Sequence, residues 1–81
     1  MKTAKYFSAT WCGPCRMFKP IVQEAIDEGH SIEMVDVDEN QALAQRYQIM
    51  SVPTLVIEQD GQIVDAVIGS TTKEDLIQRL S

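Results

Sequence analysis

Cys12 and Cys15 are the two cysteines of the chain, spaced C-x-x-C. They follow a short strand-like segment and stand at the start of a helical pattern. Several chemistries can use two sulfurs so placed. A structural zinc site usually takes four protein ligands, and one distant His30 does not complete the set. A passive disulfide across so small a ring restricts the unfolded chain little. Two inert buried thiols would make the spacing a coincidence. Redox exchange is the reading that the local physics favours. At a helix N-terminus, unpaired backbone N–H groups and the positive end of the helix stabilise an anion, and the thiolate is the attacking form of cysteine. Cys15, one turn later, can reach Cys12 yet faces inward. Pro14 suits an early helical position, having no N–H to lose. Gly13 leaves the outer side open to a bulky disulfide.

The elements that must hold this pair can be read along the chain. Lys2 to Phe7 suits a short strand. Phe18, Ile21, Val22, Ala25 and Ile26 form one apolar stripe of a helix ended by Gly29, with Pro20 inside it predicting a kink. Ile32 to Val37 reads as a strand buried on both faces. Asp38-Glu39-Asn40 breaks it and starts a short helix carrying Leu43 and Tyr47. Thr54 to Glu58 and Gln62 to Ile68 flank Asp60-Gly61, a strong hairpin signal. Thr71-Thr72-Lys73-Glu74 fits a capping box ahead of Leu76, Ile77 and Leu80. The order β-α-β-α-β-β-α predicts an α/β fold with a four-stranded mixed sheet, helices on both faces and a right-handed first crossover.

The whole chain bounds what this site can be. Its 81 residues make one domain, 1–81, with no linker or repeat. Surface scaling predicts about 4,900 Å² for the folded chain, too small to spare apolar area for a large buried cofactor. Seven basic against twelve acidic residues give a net charge of −5, which opposes non-specific nucleic-acid binding. No apolar run approaches the ~20 residues of a membrane span, and Met1-Lys2-Thr3 leads directly into the first strand with no signal peptide expected.

Trp11-Cys12-Gly13-Pro14-Cys15 is the active-site motif of the thioredoxin family, which this chain resembles over nearly its whole length. Pro20 resembles the proline inside that family's long helix. Ser51-Val52-Pro53-Thr54 resembles the segment carrying its cis-proline, Gly61 its hairpin glycine and Gly69 the glycine lining its substrate groove. The resemblance implies that Cys12 attacks a substrate disulfide and Cys15 resolves the mixed disulfide. It implies that Trp11 is a substrate platform and that Gly13, Pro14, Val52, Pro53 and Gly69 line the binding surface. It further implies a redox-active disulfide without a bound cofactor or metal. Electrons would come from NADPH through a flavoprotein reductase, ribonucleotide reductase would be one acceptor, and a cytoplasmic monomer is expected.

The chain departs from the family at three instructive positions. Its length is the minimal form shared with glutaredoxins and some small microbial or phage thioredoxins. Tyr6 stands where the family usually has a buried Asp, and Met34 where it usually has the Lys partner of that Asp. A phenol with a pKa near 10 is a poor base at neutral pH, so Cys15 is expected to lose its proton to water or to the departing Cys12 thiolate. Ser8 replaces a neighbouring aromatic. A glutathione-recharged, glutaredoxin-like donor is the alternative enzymatic reading, against which stand Gly13-Pro14 and Trp11. A non-catalytic partner-binding module is the alternative outside enzymology. Met50 suits either the core or the substrate rim. Arg16 is expected to add a mild positive field, while His30 and the acids from Asp36 to Glu39 are expected to be solvated.

Overall fold

The structure, a computed structural model describing residues 1–81, runs β1 (Lys2–Ser8), α1 (Gly13–Asp27), β2 (Ile32–Asp36), α2 (Gln41–Arg46), β3 (Thr54–Gln59), β4 (Gln62–Ile68) and α3 (Lys73–Leu80). The four strands form one sheet in the order β2-β1-β3-β4. β1 pairs in parallel with β2, whereas β1–β3 and β3–β4 are antiparallel. A parallel pair needs a long crossover, and α1 is that crossover. The accessible surface of 5072 Å² agrees with the scaling expectation.

Alternation along the central strands sorts the core into two layers. Ala4, Tyr6, Leu55 and Ile57 face α1 and α3, where they pack with Phe18, Val22, Ala25, Leu76 and Leu80. Phe7, Val35 and Val56 face the other way, against Leu43, Tyr47 and Ile49 of the α2 region. Helices therefore cover both faces of the mixed sheet, as the α/β reading requires.

The element ends have identifiable causes. Gly29 takes φ 102°, its N–H bonds Ile26 O at 2.9 Å, and His30 N–H bonds Ala25 O at 3.1 Å, which together close α1 as a Schellman motif. α2 ends the same way, with Gln48 N–H on Gln45 O and Ile49 N–H on Ala44 O, but here a glutamine occupies the left-handed position at φ 55°. Asp60 and Gly61, both at positive φ, form the two-residue β3–β4 turn, in the manner of a type I′ hairpin.

α1 runs from Gly13 to Asp27 as one helix with Pro20 inside it, and two local expectations need correction. β2 is an edge strand, so only Val35 is buried in it, although Ile32 and Met34 lie against the larger core layer. The cap of α3 is Thr72, whose hydroxyl accepts from Asp75 N–H at 3.1 Å, while Thr71 donates instead to the Asp75 carboxylate.

Candidate active site

Cys12 is the N-cap of α1, in extended backbone, and Pro14 lies in the first turn. The cap position leaves the first helical N–H groups without intrahelical partners. One of them, Cys15 N–H, donates to Cys12 Sγ at 3.2 Å. The sulfur thus does what an Asp or Ser oxygen does at other N-caps. Cys12 and Cys15 are joined as a disulfide with their Cα atoms 5.3 Å apart. Both are buried, at 5% and 3% exposure.

The second wall of the site comes from the other end of the fold. The Val52–Pro53 bond is cis, and Val52 O lies 3.7 Å from Cys12 Sγ. Gly69, at φ 91° just after β4, donates its N–H to Pro53 O at 2.8 Å. That bond brings Gly69 next to the proline segment, and its backbone conformation is one that suits glycine. Val52, far from the cysteines in sequence, is thus brought against Cys12, with Pro53 and Gly69 bonded to each other beside it.

Trp11 is 66% exposed immediately before Cys12, and its indole Nε1–H donates to Asp38 Oδ2 at 2.8 Å. The sequence alone reads Asp38 as a solvated acid. Its partner is too distant in sequence for any local pattern to reveal, and only the parallel β1–β2 pairing sets the two side by side. An apolar recess of about 210 Å³ lies between Trp11, Val37, Ala44, Ile49, Met50 and Val52. Met50 is 95% exposed at its edge, which removes it from the core. Gly13 and Pro14 are exposed on the outer side of the disulfide.

Behind the pair, Tyr6 is fully buried and its hydroxyl donates to Cys15 O at 2.8 Å. Its ring meets Phe18 edge-on at 5.7 Å. Burial pushes the phenol above its ordinary value, so it holds its proton and fastens the first turn of α1 to β1. Arg16 bonds Thr10 O through both Nε and an Nη, at 3.2 and 2.8 Å, which pins its charge beside the motif. His30 is distant from the site, beyond the far end of α1. The fold contains no group of three His, Cys, Asp or Glu able to hold a metal ion, and no helix long and apolar enough to cross a membrane.

A family model described as Thioredoxin matches residues 4–81. The chain is 51% identical over 77 residues to a thioredoxin of Staphylococcus aureus, covering 91% of this chain and 74% of that protein. Among solved structures it is similar to a mutant thioredoxin of Halobacterium salinarum, with TM-score 0.88 and 41% identity over 98% of this chain and 71% of the other. A Fasciola hepatica thioredoxin superposes with TM-score 0.89 at 33% identity, covering 99% and 81%. An open mixed sheet with a cysteine pair at the start of its first helix defines a thiol–disulfide oxidoreductase, a protein disulfide reductase whose redox centre is Cys12–Cys15. The chain belongs to the thioredoxin family. Thioredoxins carry no bound cofactor, and as a family they act on disulfide substrates and are served by thioredoxin reductase.

Proposed function

We propose that residues 1–81 act as one domain in which Cys12 is the nucleophile and Cys15 the resolving thiol of protein-disulfide reduction. The observation that carries the assignment is the hydrogen bond from Cys15 N–H to Cys12 Sγ at the helix N-cap. The same donor is available to a Cys12 thiolate and favours that anion over the one at its partner. Attack of Cys12 on a substrate disulfide forms a mixed disulfide. Cys15 then displaces the substrate sulfur, and two electrons have passed from the dithiol to the substrate.

Trp11, Gly13, Pro14, Val52, Pro53 and Gly69 form the substrate surface in this reading. An extended segment laid across Val52 gains main-chain hydrogen bonds as an added strand would, while the recess beside Trp11 takes an apolar side chain. NADPH, through a flavoprotein thioredoxin reductase, recharges the pair in the cytoplasm. Ribonucleotide reductase is one acceptor of its electrons.

The test is a trapping experiment with two variants. Cys15→Ser should accumulate a mixed disulfide with a substrate protein, and Cys12→Ser should not; the opposite pattern reverses the roles. Replacing both cysteines by serine should abolish reduction, whereas a purely scaffolding module would keep its partner. Equilibration against a glutathione or dithiothreitol series should place the pair near the about −270 mV of thioredoxin, and a value above about −200 mV would argue for glutaredoxin-like or oxidising work.

A further inference from the structure

Cys15 has a second side. A cavity of about 390 Å³ opens between β1, β2 and α1, and Ser8, Ala9, Cys15 and Met34 contribute to its walls. It borders Cys15 but not Cys12 and shares no lining residue with the recess beside Trp11. A single water needs about 15 Å³ of such space and two or more polar partners, and this cavity exceeds that volume many times over. Ser8 and Thr10 supply polar wall, Arg16 and Lys19 bring positive charge from α1, and Asp36 brings one carboxylate from β2.

The resolving thiol must lose a proton before it can attack, and the groups packed against Cys15 constrain where that proton goes. From β1, Tyr6 donates its own proton to the Cys15 carbonyl and burial holds the phenol protonated. From β2, Met34 carries no charge, and Asp36 engages one carboxylate oxygen with the N–H groups of Asp38 and Glu39. From α1, Arg16 and Lys19 are cations and accept nothing.

Resting on the roles proposed for the two cysteines, we propose that this cavity is the proton port of Cys15, with water in it taking the proton directly. In the mixed disulfide, cavity water accepts the Cys15 proton. The Cys15 thiolate then attacks Cys12 Sγ, the bond from Cys12 to the substrate sulfur breaks, and the substrate leaves as a thiolate that is protonated by solvent. Ser8 is the positioning residue, because its small side chain keeps the port open. Arg16 and Lys19 favour the thiolate that forms.

The test uses the full chain and an aromatic disulfide whose thiolate absorbs visible light, so that attack and resolution appear as two successive releases. Resolution should accelerate with added imidazole at fixed pH, and the first release should not. Ser8→Phe should slow resolution about tenfold at neutral pH and abolish the imidazole effect, leaving the first release intact. Asp36→Asn should leave resolution unchanged. Resolution indifferent to imidazole in the native chain would overturn the port, and this result needs no variant to fold. A second release slowed by Asp36→Asn would also overturn it, in favour of a carboxylate relay. Absence of the first release would instead overturn the role of Cys12.

Discussion

At the scale of single residues, the site depends on partners that lie far apart in the chain. The bond from Trp11 to Asp38 fixes a large aromatic next to Cys12 in the chain without burying it. Between exposed groups such a bond contributes about 1 kcal/mol at most. Asp38→Ala should therefore raise KM for a protein disulfide by about two- to fivefold with kcat little changed, as steady-state reduction assays would show. An unchanged KM would mean that the indole keeps its place by packing alone. Gly69 makes a different demand: a side chain there meets open space, but φ 91° disfavours every residue except glycine. Gly69→Ala should cost about 1 kcal/mol in denaturant unfolding, and a neutral result would show that the backbone relaxes freely.

At the scale of elements, the hairpin and α2 are joined by a small network. Tyr47 donates to Glu58 Oε2 at 2.7 Å, Lys5 binds Glu58 Oε1 at 2.9 Å, and the Lys5 ammonium lies 5.4 Å from the Tyr47 ring centroid. The hydrogen bond from Tyr47, then that from Lys5, holds the Glu58 carboxyl below its ordinary value of 4.5. A depressed carboxylate stabilises the fold above its unfolded pKa, and that contribution is lost as pH falls through the folded value. Lys5, raised above 10.5 chiefly by the bond to Glu58, contributes below that value and loses its share as pH rises through the folded one. Glu58→Gln should cost about 1 kcal/mol near neutral pH and flatten the acid side of a stability–pH curve. At the end of α2, Gln48→Gly should stabilise the chain by about 0.5–1 kcal/mol, since glutamine bears a left-handed penalty that glycine does not. A lower thermal midpoint would contradict that. The elements themselves were legible in the sequence because periodicity is local: the stripe of α1, the Asp60-Gly61 turn and the cysteine motif all declare themselves within a few residues. The edge position of β2 was not, because its apolar run resembles a central strand and only the order of the sheet makes it an edge. The Trp11–Asp38 and Glu58–Tyr47 bonds and the cavity behind Cys15 were hidden for the same reason, being products of tertiary pairing.

At the scale of the whole molecule, stability is concentrated in the two central strands. Leu55 and Ile57 are completely buried between neighbours on both sides, whereas Ile63 on the edge strand β4 is 56% exposed. Leu55→Ala should cost about 3 kcal/mol and lower the thermal midpoint by on the order of 15 °C, while Ile63→Ala should stay within about 0.5 kcal/mol. Comparable losses at the two positions would contradict a core centred on β1 and β3. The arrangement suits a reductase: the central strands carry the buried half of the site and leave Trp11, Met50 and Val52 around a recess at their margins. Trp11 is also the one tryptophan of the chain. Ultraviolet emission excited at the indole band therefore originates at a single point beside the sulfur pair. Disulfides quench nearby indoles, so opening the Cys12–Cys15 bond should brighten that emission. The molecule carries its own optical gauge of oxidation state, readable without a label during turnover.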